Sequence, residues 1–272
     1  MSAPPPVAST IRLRCAFISD VHLGTKRCRA ELLLEFLRSV DVDTLILVGD
    51  IIDLKSMSRS FFWPQTHIDV LRAILGKVRH GTRVIYVPGN HDEVFRELVG
   101  SVFGNLEIHR DYVHQTADGR RLLVVHGDEF DSVVKCSRWL TSLGTWVYDV
   151  LLRLNRYFNF VRRTFGFPYW SLAAYVKSRI RNAVEYIRKF EEAVAFAARR
   201  RGMDGVVCGH IHRAKLAVID GVLYCNDGDW VESCTSLVEN LNGHLSLWNW
   251  VEQRERLVQV ASVPHAIIDR AA

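Results

Sequence analysis

Over residues 11–92 short apolar runs alternate with stretches of helical spacing. Residues 11–19 alternate into a strand, because a period of two lines one face of a pleated chain. From Glu31 to Val40, Leu32, Leu33, Phe36 and Leu37 recur at helical spacing, and residues 44–48 predict a second strand. Ile68, Leu71, Ile74, Leu75 and Val78 predict an amphipathic helix over 68–78, and residues 83–87 predict a third strand. Strand, helix, strand, helix, strand at this spacing makes two βαβ units on a parallel sheet. After a predicted helix over 93–99 the period falls to two. Residues 106–108, 112–115 and 121–125 read as antiparallel strands, with Asp118-Gly119 as a turn. Residues 204–208, 215–219, 222–225, 234–239 and 243–250 repeat the style, with Asp220-Gly221 and Asn242-Gly243 closing hairpins. The expected fold class is α/β, a layered sandwich of two mixed β-sheets flanked by helices.

The stretch 131–201 has a different texture. Ten aromatics from Trp139 to Trp170 are interleaved with Arg153, Arg156, Arg162, Arg163, Lys177, Arg179 and Arg181, and the main turn signal is Gly166-Phe167-Pro168. It reads as two or three helices inserted as a cap over the strand ends. Arg stems can cover apolar surface while their heads meet phosphates, so Arg153, Arg156, Arg162, Arg163 and Trp170 are candidate substrate-binding residues. The core is then 11–130 with 202–260. Pro- and Ala-rich residues 1–10 are expected to be disordered, and 261–272 form a C-terminal tail.

Composition narrows the class. A chain of 272 residues with 49% hydrophobic and 24% charged residues can bury a sizeable core. A net charge of +5 points to anionic partners without choosing between them. The six cysteines form no C-x-x-C pair, which predicts reduced thiols, Cys208 and Cys225 as small strand hydrophobes, and no thiolate metal site. No secretory signal is visible at the N-terminus, and no apolar run reaches membrane-span length. The expected location is cytoplasmic, with association at the inner-membrane surface if the cap is lipophilic.

The candidate chemistry lies where the apolar runs stop. Phe17–His22, Leu45–Asp50, Val84–Asp92, Leu122–Asp128 and Val206–His212 each end in Asp, His or Asn, and Pro88-Gly89 breaks the third abruptly. Ligands of open α/β sheets collect outside such carboxyl ends. Asp20 and His22 are two apart and point the same way, as do His210 and His212. Oxygen and imidazole donors without thiolate suit Mn, Fe, Zn or Mg. Two cations bring about +4 against −2 from Asp20 and Asp50, an under-neutralised centre that attracts phosphate oxygens. A single histidine at a strand end is more often a satisfied polar residue, so His67, His80, His109, His114, His244 and His265 keep that reading. Asp53, Asp128 and Asp229 stand open between support of the ligands and ordinary loop carboxylates.

D-x-H, G-D, G-N-H-D, H-G-D and G-H-x-H, in this order, resemble the calcineurin-like metallophosphoesterase superfamily. The resemblance implies one metal held by Asp20, His22 and His212, a second by Asn90, His126 and His210, and Asp50 bridging both. It implies His91 as hydrogen-bond donor or general acid to the phosphoryl or leaving oxygen, with Asp92 orienting it, and two divalent ions, Mn foremost. Within the superfamily the chain is most similar to the UDP-2,3-diacylglucosamine hydrolases of lipid A biosynthesis, which carry a helical cap after H-G-D. That implies cleavage of a UDP-linked acylated sugar to UMP and a lipid 1-phosphate, with water attacking the α-phosphorus. Those hydrolases have G-N-R-D where this chain has Gly89-Asn90-His91-Asp92. A nucleotide, phosphoprotein or nucleic-acid phosphoester is the alternative substrate, and the modest net charge argues against nucleic acid. A non-catalytic metal-binding membrane adaptor is the third reading; an inactive relative would lack a ligand, and none is missing here.

Overall fold

The first strand, β1 (Ile11–Ile18), is the pivot of a seven-stranded sheet in the computed structural model, which describes residues 10–132 and 172–255. It is followed by α1 (Ala30–Ser39), β2 (Val40–Leu47), the short α2 (Leu54–Met57), α3 (Gln65–Arg79) and β3 (Arg83–Tyr86). β1, β2 and β3 pair in parallel, as the βαβ spacing predicts. The sheet continues through β4 (Val102–Phe103) and β5 (Leu106–Ile108) on one side, and β11 (Thr235–Glu239) and β12 (Leu245–Asn249) on the other. Its order is β12-β11-β1-β2-β3-β5-β4. The second sheet takes β6 (Tyr112–Gln115), β7 (Arg121–Val124), β8 (Gly205–Cys208), β9 (Lys215–Ile219) and β10 (Val222–Asn226), in the order β6-β7-β8-β10-β9. Both sheets mix parallel and antiparallel pairs, so the layered α/β sandwich is the observed fold.

Alternate residues of the central strands enter two different cores. Ala16, Leu45, Leu47, Val84 and Tyr86 join the cluster on the helix side. Their neighbours Cys15, Phe17, Ile46, Val48, Ile85 and Val87 join Leu122, Val124, Val207 and Cys225 between the sheets. Burial on both faces is why these strands read as unbroken apolar runs. Each large side chain so removed from water contributes about 1.5–3 kcal/mol.

The departures from expectation have local causes. β2 begins at Val40 rather than 44, because Val40 and Val42 are buried while Asp41 and Asp43 face out to Arg12 across the ladder. The segment expected as a helix over 93–99 is one 3-10 helix, Glu93–Leu98; Val94 and Leu98 are exposed, and Phe95, packed on the core beside Tyr86, is too little apolar surface to hold a longer helix. α2 went unpredicted because four residues are too few to show a period. Cys15, Cys28, Cys208, Cys225 and Cys234 are free thiols, and Cys208 and Cys225 sit fully buried in their strands.

The chain divides into two compact units, residues 1–128 with 195–272, and residues 129–194. In the second, Tyr186 donates to Asp131 and Phe130 packs edge-on against Phe190, both on or beside α4 (Leu172–Arg200). The expected insertion at 131–201 is to be set beside this unit. Arg153, Arg156, Arg162, Arg163 and Trp170 lie outside the described residues. No helix of the described residues is long and apolar enough to cross a membrane.

One buried ion pair ties the sheets. Glu239 of β11, with no exposed surface, accepts from His114 of β6 at 2.6 Å, from the Ala117 amide at 2.7 Å and from Arg14 at 3.2 Å. Glu239→Ala strips the buried His114 ring of its acceptor, so unfolding in urea is expected to show a loss of about 1–3 kcal/mol. A loss under 1 kcal/mol contradicts that role.

Candidate metal centre

Five strand ends converge on one crevice of the first unit. Among the described residues only seven non-glycine residues have positive φ, and five of them are Asp20, His22, Asp50, His210 and His212. The left-handed conformation costs an L-residue about 1–2 kcal/mol. Here it turns a carboxylate or imidazole off the end of a strand and into the crevice. Concentration of such strain at one place is a mark of a functional site.

Two glycines of the motifs are there for space. A methyl group at Gly89 would collide with Asp50 Oδ1, and one at Gly209 would collide with Asp20 Oδ2 and Ser19 Oγ. Both chains pass so close to a ligand carboxylate that no side chain fits.

Asp50 is the hub. Its Oδ1 accepts from the His91 amide at 2.7 Å, which leaves Oδ2 facing the imidazoles. Oδ2 lies 3.5 Å from His126 Nε2, 3.9 Å from His22 Nε2 and 4.0 Å from His91 Nε2. Asp20 Oδ1 is the second focus, 3.2 Å from His212 Nε2 and 3.9 Å from His22 Nε2. His22 and His212 turn their Nε2 atoms toward each other at 3.4 Å. Asp20, His22 and His212 therefore form one group of donors, and Asp20, Asp50 and His126 another. The His210 ring stands edge-on to His126 at 5.1 Å between centroids, and its amide donates to Asp20 Oδ2 at 2.7 Å.

Surrounding hydrogen bonds decide which atom of each ring faces inward. His126 Nδ1 lies 2.8 Å from the Val48 carbonyl, which only accepts, so Nδ1 carries the proton and Nε2 points inward. His22 Nδ1 is held by Asp53 Oδ2 at 3.1 Å and His91 Nδ1 by Asp53 Oδ1 at 2.8 Å. Asp53 also caps α2 through the Ser56 amide at 2.7 Å. Ser19 Oγ lies 2.7 Å from both Asp20 Oδ2 and Asp227 Oδ1. Burial pushes Asp227 well above the ordinary carboxylate range. Ser19 Oγ thus bridges the two carboxyls, its hydroxyl donating to one or the other.

The residues fit divalent cations. Asp20 Oδ1, Asn90 Oδ1 and His126 Nε2 are buried lone-pair donors without a hydrogen-bond partner among the described residues. Burial opposes charge on Asp20 and Asp50, yet the neighbouring imidazoles hold both carboxyls below their usual range. The same coupling, working against burial, lifts His126 to about 10. Protons thus occupy the imidazoles that cations would otherwise hold, since ligand histidines must release protons to bind metal.

One sequence-based expectation changes. Asp92 does not orient His91: its carboxylate accepts from the Gly89 amide at 2.6 Å, the Ile51 amide at 2.8 Å and Tyr86 Oη at 2.5 Å. It braces the two loops that carry Asn90 and Asp50, and its donors leave it no reach to the ring. Asp53 does that work, and its place three residues after Asp50 was the signal available in the sequence. Of the other open carboxylates, Asp128 pairs with Arg96 at 2.8 Å and Asp229 accepts from the amides of its own turn, Val231 at 2.8 Å and Glu232 at 2.5 Å. His67 and His114 are buried polar residues with partners, as expected.

An α/β sandwich whose strand ends gather oxygen and imidazole donors defines a class of metal-binding phosphoester proteins. The family model for calcineurin-like phosphoesterases matches residues 13–214, and the chain belongs to that family. Among curated proteins, the DNA polymerase II small subunit of Methanothermobacter thermautotrophicus is 25% identical over 149 residues, covering 43% of this chain and 31% of that protein. The chain thus matches less than a third of that relative's length. Among solved structures, a single-residue mutant of Vps29 from Entamoeba histolytica is 13% identical with a TM-score of 0.41, covering 86% of this chain and 96% of that one. A novel archaeal phosphodiesterase is 13% identical with a TM-score of 0.42, covering 86% and 98%.

Added Mn²⁺ is expected to raise the melting temperature of the wild-type chain, since a ligand at a hundred times its Kd stabilises by about 2.7 kcal/mol. Asp53→Ala should weaken Mn²⁺ binding by about 10–100-fold in calorimetry, because His22 loses the partner that aims it. Unchanged affinity would return Asp53 to the role of helix cap alone.

Proposed function

We propose that the chain hydrolyses phosphoesters or diphosphates with two divalent cations, Mn first and Fe, Zn or Mg as alternatives. The observation that carries this reading is the set of buried, unpartnered donor atoms, Asp20 Oδ1, Asn90 Oδ1 and His126 Nε2, beside the Asp50 hub. Asp20, His22 and His212 would hold one cation, Asn90, His126 and His210 the other, and Asp50 would bridge both. Bound there, the cations supply charge neutralisation and a water of lowered pKa.

The remaining work belongs to the chain. Asp53 holds Nδ1 of His91, which leaves Nε2 facing the crevice 4.0 Å from Asp50 Oδ2. Burial pulls the His91 basicity down, but Asp53 and Asp50 more than restore it. With Nε2 facing the crevice, His91 is placed to donate a proton to the leaving oxygen. Water adds at phosphorus, the P–O bond breaks with its electron pair leaving on the departing oxygen, that oxygen takes the His91 proton, and the proton released by the water restores His91.

For the substrate, the motif order and the insertion after H-G-D support a UDP-linked acylated sugar, cleaved to UMP and a lipid 1-phosphate. Likeness to a DNA polymerase small subunit supports a second reading, a phosphodiester of nucleic acid. Mass-spectrometric assay of Mn-loaded protein against UDP-diacylglucosamine, nucleotides, phosphoproteins and single-stranded DNA separates the two. Release of UMP alone is expected, and release of nucleotides from DNA alone would reverse the order.

Asp50→Asn is expected to abolish turnover and lower metal content, and full activity with two metals bound would refute the bridge. His91→Ala is expected to slow turnover by about 10²–10⁴-fold with metals still bound. Loss of metal in that variant would make His91 a ligand.

A further inference from the structure

The flank of the crevice beyond α2 has a composition that metal binding does not explain. Residues 23–29 and 54–64 together carry five basic residues, Lys26, Arg27, Arg29, Lys55 and Arg59, and no acidic one. Lys26, Lys55 and Arg59 are exposed, and no ion-pair partner for them is found among the described residues. Phe61 is the most exposed large hydrophobic residue described, at 77%.

These two segments are packed together and tied to the centre. Asp53, which grips His22 and His91, is the N-cap of α2, so Lys55 sits two residues from the residue that aims both rings. A methyl group at Gly24 would strike the Met57 side chain, which shows how closely α2 lies on the turn after His22. The Gly24 amide donates to His67 Nδ1 at 3.0 Å, and Phe62 and Trp63 stand edge-on to that ring at 5.7 and 5.4 Å. The ammonium of Lys26 lies 5.8 Å from the centroid of Phe62, a cation–π contact joining the segments.

Resting on the hydrolase reading above, we propose that Lys26, Lys55, Arg59 and Phe61 form the substrate-selecting rim of the centre, and that it takes a nucleoside diphosphate moiety. The cations pair with the second phosphate, which the metal centre does not hold. The open face of Phe61 stacks on the base, a contact available to any planar ring. A lipid bilayer fits less well, because Phe62 and Trp63 are partly buried and Trp63 packs against the helix-side core. A single exposed phenyl ring offers too little apolar surface for interfacial anchoring.

The test is calorimetric binding of UDP to the Mn-loaded full chain, for the wild type, the double variant Lys55→Ala/Arg59→Ala, Phe61→Ser and Phe61→Trp. The double variant is expected to weaken UDP binding about tenfold or more, as lost charge-assisted bonds do. Phe61→Ser should weaken it about fivefold or more, and Phe61→Trp should retain it. In turnover, the ratio of kcat/KM for UDP-glucose to that for bis(p-nitrophenyl) phosphate should fall about tenfold in the double variant. No UDP binding by the wild type, or equal binding by all four proteins, overturns the proposal. So does vesicle binding that these substitutions abolish while UDP binding persists, which would assign the rim to a membrane surface. Wild-type protein that hydrolyses neither ester overturns the hydrolase reading instead, and UDP binding then decides the rim alone.

Discussion

The structure is organised around two carboxylates, Asp20 and Asp50, placed almost out of reach of water beside four imidazoles. Burying like charges together is unfavourable unless opposite charge lies between them. In the chain alone that charge is carried by protons on rings such as His126, whose basicity is raised accordingly. Divalent cations satisfy the same demand with more charge in less space. Much of the surrounding architecture serves to keep these groups from relaxing apart.

That restraint comes from outside the ring of donors. The Val48 carbonyl fixes the His126 tautomer, Asp53 fixes two more rings, and the Ser19 hydroxyl joins Asp20 to Asp227. Asp92 braces the loops from behind. The left-handed backbone at five of the site residues is unfavourable locally, and the rigidity needed to hold it comes from strands buried on both faces. Site geometry and core packing are therefore one problem, solved by the same two sheets.

The centre alone does not choose a substrate, because metal ligands engage a phosphoryl group whatever is attached to it. Selection has to come from side chains reaching the attached groups. On the proposed rim these are cationic and aromatic, and they sit on α2, just after it and on the turn after His22. In that proposal the same carboxylate, Asp53, links the reacting end of a substrate to the surface that sorts its far end.

The sequence by itself determined the class of fold and the donor set. Two-sided burial leaves unbroken apolar runs, and ligand residues sit at their ends in a fixed order, so both patterns are local and one-dimensional. Tertiary structure alone decided the supporting contacts. Whether Asp53 or Asp92 aims His91 depends on where two loops 38 residues apart meet in space, and the partner of Asp227 is a serine 208 residues away. Such choices turn on burial and on which acceptor lies within three ångströms of which donor, and no spacing along a chain records either.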